Sequence, residues 1–481
     1  MSSTPTPVQT CSTEPPKRSA SESAQRRRLI LRPTLASFAG PSLWPETRST
    51  RRRLLSGSAA ALAWLGLPAL ANAARTLRFS WWGGTARHNA TLKAIAAYEA
   101  RHPGVRIKPE YMGTNGYLEK LTMQIVSGTE PDLMQIDWAW LAMFSRRGDG
   151  FADLHSLRDH IDLAQYGEDD LRMTTVAGRL NGMPVSFTAR LFFWNAASFE
   201  RAGLRIPATW DEFIAAGARF RQAFGERAYP MDGEIYDALL MTHAQAFQRH
   251  GQPYVHPGEP RIAMSQAALL DWVTQYRALV AARAITPLPY RASLGGARKA
   301  TEQQPDWVVG NWAGNYTWDS TLPARLASLD KQQRLELGPF LTVPGARASG
   351  IFGRPAMVLA IGRNSTQREA AAGFLNFLLT DTEAARILGM VRGLPTAAGA
   401  AKVLEGDPRL SPLQLQAQRA IAEQRRAGRI DMPSPLFEDA RFRKFMVEVF
   451  ELLAYGKIDE HEAAQRLRAD GAGLLARIGK R

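Results

Sequence analysis

Three observations predict an α/β fold. Leu77 and Phe79 alternate with polar residues as in a short buried strand, which runs into Trp81, Trp82, Gly83 and Gly84 at its C-terminal end. From Thr85 to Arg101 the period becomes helical, with Leu92, Ile95, Ala96 and Tyr98 on one stripe. The same strand–helix alternation then continues to about Pro184. In such folds ligands bind beyond the carboxyl ends of strands. The Trp-Trp-Gly-Gly turn is therefore the first candidate site, because glycines admit close backbone approach and indoles offer flat apolar faces. Neighbouring strand residues point to opposite sides, so one of Trp81 and Trp82 is expected in the core and the other in the crevice.

The 481 residues, 45% hydrophobic and 22% charged, suffice for two or three ordinary domains. Residues 1–50 are rich in Ser, Thr, Pro and Arg without apolar periodicity, and are expected to be a disordered extension. Residues 51–73 read as a cleavable export signal: Arg51-Arg52-Arg53, an apolar run from Ala59 to Leu70, and Ala71-Asn72-Ala73 with cleavage after Ala73. The arginines before Leu54-Leu55 favour the twin-arginine (Tat) type, with an ordinary signal as the alternative. An exported, periplasmic protein is the expectation.

Residues 1–73 hold ten Lys and Arg against three Asp and Glu, so about half of the net charge of +15 belongs to them. The remaining excess is dispersed without aromatic interleaving, which argues against nucleic acid and is compatible with an anionic ligand. Cys11 is the single cysteine, so the exported chain needs no disulfide and has no Cys-ligated metal site.

Val105–Glu110 reads as a second strand and Gly116–Ser127 as a helix with Leu118, Leu121, Ile125 and Val126 inward. A short buried strand, Pro131–Asp137, delivers Trp138 and Trp140 to its end. Met183–Asn195 is long and β-rich and carries one charge, Arg190, which must pair with a carboxylate or lie in a polar cleft. Thr209 is placed to cap a helix from Trp210, and Glu369–Leu379 has clear helical spacing.

These residues also carry a family resemblance. FFWNAASFERAGLRIPATWDEF (192–213) resembles a segment that recurs in the extracellular solute-binding proteins (family 1) of sugar ABC importers. SWWGGTARHNATLKAIAAYEARHPGVRIKPEY (80–111) and EPDLMQIDWAWLAMFSRRGDGFADL (130–154) resemble the subgroup that binds pectin fragments such as oligogalacturonides. VVGNWAGNYTW (308–318) is similar to the family's G-x-W strand turn, and AAAGFLNFLLTDTEAARILGMVRGLPTA (370–397) to its helix and RG-x-P turn. The resemblance covers nearly all of residues 76–481.

It implies a two-lobed, type II-like periplasmic binding fold with the ligand cleft between lobes. The N-lobe would be 76–184 plus 358–395 and the C-lobe 190–356 plus 396–481, with Met183–Arg190 and Ile351–Val358 as hinge crossings. It implies an oligosaccharide ligand, an acidic one being expected, with a neutral sugar or polyol as the alternative. It further implies membrane permease partners, a monomer, and no cofactor or metal.

Sugar rings present apolar faces to tryptophan, and uronic acids demand bidentate arginine. The expected ligand contacts are Trp82, Trp138, Trp140, Asn311 and Trp312, with Arg87, His88, Arg190, Arg354 and Arg392 as polar partners. Trp194, Trp210 and Trp272 sit within strand or helix patterns and are expected to be packing. A secreted pectin-degrading enzyme is the rival class. Glycosidases need two positioned carboxylates, and no such pair, nucleophile elbow or HExxH motif is legible, so no catalytic residue is assigned.

Overall fold

The computed structural model describes residues 75–296 and 299–480. The expected disordered extension (1–50) and export signal (51–73) lie outside these residues. Nine strands occur among them: β1 (Arg75–Trp82), β2 (Val105–Met112), β3 (Leu133–Asp137), a short hairpin of β4 (Thr175–Val176) and β5 (Arg179–Leu180), then β6 (Met183–Asn195), β7 (Gly314–Trp318), β8 (Leu335–Leu337) and β9 (Gly353–Ile361). Apart from the hairpin they form one sheet of order β2-β1-β3-β9-β6-β7, with β8 also on β6. β1 is parallel to β2 and β3, as strand–helix–strand crossings require, and β9 runs antiparallel to β3 and β6.

The expected elements form where local signals are strong. Gly84 begins the helix Thr85–Arg101 in an extended conformation, and Thr91, Ala94, Ile95 and Tyr98 are its buried face. Thr209 accepts from the Glu212 N–H, and Glu212 reaches back in a capping box at the helix Trp210–Phe224. The helix Tyr117–Val126 buries Tyr117 and Leu121, one i,i+4 edge; of the residues expected inward, Leu118 and Ile125 are half-buried and Val126 is exposed.

The long strand β6 divides the core. Its first half pairs with β9, from Met183↔Leu359 to Ala189↔Gly353, and its second half with β7, from Arg190↔Trp318 to Trp194↔Gly314. Register shifts at Pro184/Ser186 and Ser186/Phe187 break the β6–β9 ladder at a bulge. On the first side, Leu77, Phe79, Trp81, Leu133 and Phe374 pack together, joined by Ala397 and Ala400. On the second, Trp194, Trp210, Trp272, Phe442 and Phe450 build a larger core that reaches Ile478. Trp194, Trp210 and Trp272 are buried there, as their patterns predicted. Two lobes therefore share a sheet through two strands. Among the described residues no helix is long and apolar enough to cross a membrane.

Candidate functional site: the cleft across β6 and β9

A cavity of about 330 Å³ opens where the two cores meet, within the size range of small-molecule sites. Ser186, Phe187 and Thr188 of β6 and Arg354, Ala356 and Met357 of β9 contribute to its lining. One wall carries Trp82, Arg87, Asp137, Arg392 and Gly393, and the other Trp318, Asp319, Gln414 and Gln418. Trp81 is fully buried and Trp82 lines the cavity, so the paired indoles separate as strand alternation requires. Trp82 is backed by Tyr117 and Trp140, with ring centroids 5.1 and 5.3 Å away.

Two guanidiniums on the first wall have only neutral partners. Arg87 folds back over Gly83, where an added Cβ would sit 2.6 Å from Arg87 Cδ. It donates to the carbonyls of Val391 (2.9 Å) and Trp82 (3.1 Å). Arg392 stands before Gly393, which holds a left-handed φ of 88°. Its Nε donates to Gln135 Oε1 and its Nη2 to Thr91 Oγ1, both at 2.9 Å. Neither arginine forms an ion pair among the described residues. Burial lowers the pKa of Arg87. Burial and then the charge of Arg87 push Arg392 down to about 9, still protonated at neutral pH. Arg87 and Arg392 thus place two positive charges on this wall that only neutral groups contact, while the carboxylate of the same wall, Asp137, faces Arg354.

The other ionisable groups of the cleft are ion-paired or hydrogen-bonded. Arg354 faces Glu438 at 3.3 Å and Asp137 at 3.7 Å. Burial opposes its charge, but these two carboxylates outweigh burial and its pKa is raised. Asp319 is buried, which raises its pKa against hydrogen bonds from the Thr188 hydroxyl, the Ala189 N–H and the Gln418 amide.

Of the ten expected contacts, the structure brings Trp82, Arg87, Arg354 and Arg392 onto the cavity, and six lie elsewhere. Trp138 is buried and donates its indole N–H to the Met173 carbonyl. Trp140 packs behind Trp82 as its support. His88 accepts from the Trp81 indole N–H at 3.1 Å and lies against Tyr111; burial and the charges of Arg87 and Arg392 lower its pKa. Arg190 is 1% exposed and its Nη1 meets Asp237 Oδ1 at 2.5 Å, the internal ion pair that its apolar strand left open. Asn311 donates to Asp306. Trp312 has no exposed surface and packs with Phe193, Tyr229 and Trp307. The flanking glycines suggested an open indole, but Gly314 is where Trp194 and the Pro230 carbonyl approach, not where a ligand does.

The cleft aromatic at this end of the chain is Trp318, four residues beyond Gly314 and paired with Arg190 across β6–β7. Its signal was its place at the C-terminal end of β7, followed by Asp319. Gln414, Ala417 and Gln418 were missed because an i, i+3, i+4 face on a helix reads as packing until its neighbour is known.

Two lobes joined by crossing strands around a polar, aromatic-walled cleft define a ligand-capturing receptor. The chain belongs to the bacterial extracellular solute-binding protein family, whose sequence signature it matches over residues 83–385. It is similar to a periplasmic oligogalacturonide-binding protein from Yersinia enterocolitica solved with saturated digalacturonic acid: 34% identity, TM-score 0.75, over 84% of this chain and 99% of that one. A periplasmic solute-binding protein from Pectobacterium atrosepticum has the same identity and coverage at TM-score 0.78. A curated Brucella abortus binding protein is 32% identical over 136 residues, 27% of this chain, so the match spans only about a third (32%) of that relative's length.

Proposed function

We propose that the protein is the periplasmic substrate-binding component of an ABC carbohydrate importer, and that it captures an acidic oligosaccharide of the oligogalacturonide kind. The observation that carries this reading is the pair Arg87 and Arg392, two cleft guanidiniums that neutral groups hold and no carboxylate neutralises. Uronate carboxylates supply the missing anions, while Trp82 and Trp318 supply faces for the sugar rings. The likeness to the Yersinia protein supports the same ligand class. A neutral sugar would leave both cations desolvated without a partner, which is how such a site discriminates.

Closure of the lobes about β6 and β9 would complete contacts from both walls and form the surface a permease recognises. The bulge in β6 at Pro184–Phe187 supports a bend at this crossing. The protein acts as a monomer, exported by its N-terminal signal, and is a receptor rather than an enzyme. In support of that last point, the cleft carboxylates Asp137 and Asp319 are already engaged by Arg354 and by three hydrogen-bond donors.

Calorimetric titration with digalacturonate and, separately, maltose tests the proposal. Binding of the acid alone is expected. Binding of maltose alone would retain the receptor and remove the acidic ligand, and silence from both would overturn the ligand class.

A further inference from the structure

Beyond Phe187 lies a second, wider chamber of about 700 Å³. Phe187 lines both spaces. So does the helix Pro412–Arg426, which turns Gln414, Ala417 and Gln418 to the cleft and Ala422, Arg425 and Arg426 to the chamber. Gln414, Gln418, Ala422 and Arg425 among them follow one another at four- and three-residue intervals along the helix. At about 1.5 Å of rise per residue, the stretch of helix from Gln414 to Arg425 that borders the two cavities in turn is roughly 16 Å long.

Phe187 is the residue common to the two linings. The Arg425 guanidinium lies 4.3 Å from the centroid of the Phe187 ring and forms an ion pair with Asp170. Asp170 stands on the helix Glu168–Arg172, whose Leu171 packs on the first core, whereas the helix of Arg425 packs through Ala417 and Ile421 beside Phe187. The pair therefore links an element of the first core to the helix beside Phe187, on the wall of the chamber. Asp170 also accepts from the Gly167 N–H at 3.2 Å, so it keeps a partner if Arg425 leaves.

We propose that this chamber is an extension subsite for the outer sugar residues of a uronate oligomer longer than the cleft holds. In it Arg425 exchanges Asp170 for a carboxylate of the ligand. A planar guanidinium matches either carboxylate with the same bidentate fork, so the ligand would replace Asp170 at Arg425, and the ring contacts of the longer oligomer must offset the cost of leaving Asp170 to the Gly167 N–H. Met173 and Phe187 leave apolar surface in the chamber for the ring faces. The inference rests on the proposed acidic ligand and adds chain length to it.

The test is calorimetric titration of the protein with di-, tri- and tetragalacturonate, for the wild type and for Arg425→Gln and Asp170→Asn. The tetramer should bind the wild type about tenfold more tightly than the dimer. Arg425→Gln should remove that gain and leave the dimer unchanged, while Asp170→Asn, which frees Arg425, should enlarge it a few-fold. A wild type that binds dimer and tetramer equally would overturn the inference by itself, with no variant needed. So would an Arg425→Gln protein that loses affinity equally for every length, since the pair would then act in lobe closure alone. No binding of any length would overturn the ligand reading first and this inference with it, so the two failures are distinguishable. Arg425→Lys, which keeps the charge without the fork, decides the matter if Arg425→Gln does not fold.

Discussion

Arg392 donates from Nε to the side-chain oxygen of Gln135 at 2.9 Å, so a guanidinium on the cleft wall is answered by an uncharged amide. An arginine buried in this way costs stability in the empty protein and returns it when an anion arrives. Arg392→Met should lower digalacturonate affinity about 10- to 100-fold, the value of one or two hydrogen bonds to a charged group. The melting temperature of the unliganded protein should stay level or rise. Calorimetry paired with thermal unfolding checks both; a fall in stability with unchanged affinity would make Arg392 a structural residue.

Two tryptophans six positions apart should behave in opposite ways. Trp318 lines the cleft and Trp312 has no exposed surface. Trp318→Ala is expected to weaken oligosaccharide binding about tenfold with little change in urea unfolding. Trp312→Ala should cost about 3–5 kcal/mol of stability, the usual range for emptying a buried tryptophan site, while the folded fraction binds normally. The reverse pattern would relocate the site.

Arg190, for which the sequence left a carboxylate partner or a polar cleft open, is held by a carboxylate. Its Nη1 meets Asp237, and its guanidinium lies 4.8 Å from the Trp318 ring centroid. Arg190→Met strands a buried carboxylate and should destabilise the fold by about 3–5 kcal/mol; Arg190→Met with Asp237→Leu should recover most of that. Discrimination between acidic and neutral sugars should not move in either variant. Selective loss of the acidic ligand in Arg190→Met would return Arg190 to the binding site.

Glu234 supplies a pH dependence. It accepts from the Asp237 N–H at 2.8 Å, and burial together with the Asp237 charge raises its pKa from 4.5 to about 7. Between those values the folded chain holds a proton that the unfolded chain has released, so this contribution to stability falls as pH rises from about 4.5 to about 7. Glu234→Gln keeps the acceptor without the charge. It should raise the melting temperature at pH 8 by about 2–4 °C, with the difference vanishing near pH 4. An equal gain at both values would show that the charge is not the cause.

Strands, helices and caps were legible because they are set by neighbours along the chain. The alternation Leu77–Phe79, the turn Gly83-Gly84 and the capping box from Thr209 to Glu212 each depend on contacts within a few residues. Trp82 faces the cavity and Trp81 the core because strand alternation forces the two apart. Trp312 misled because glycines around an indole can admit another chain segment as readily as a ligand, and here Trp194 and the Pro230 backbone approach at Gly314.

The sequence by itself determined the α/β class, the receptor family resemblance and a set of arginines able to meet an anion. Only the tertiary structure decided which of those charges remain available. Arg190 is matched by Asp237, 47 residues away, and Arg354 by Glu438 from a distant turn, whereas Arg87 and Arg392 meet carbonyls, an amide and a hydroxyl. The physical reason is range. Periodicity and capping act over a few residues, but the cost of burying a charge depends on what the whole fold brings within about 4 Å of it.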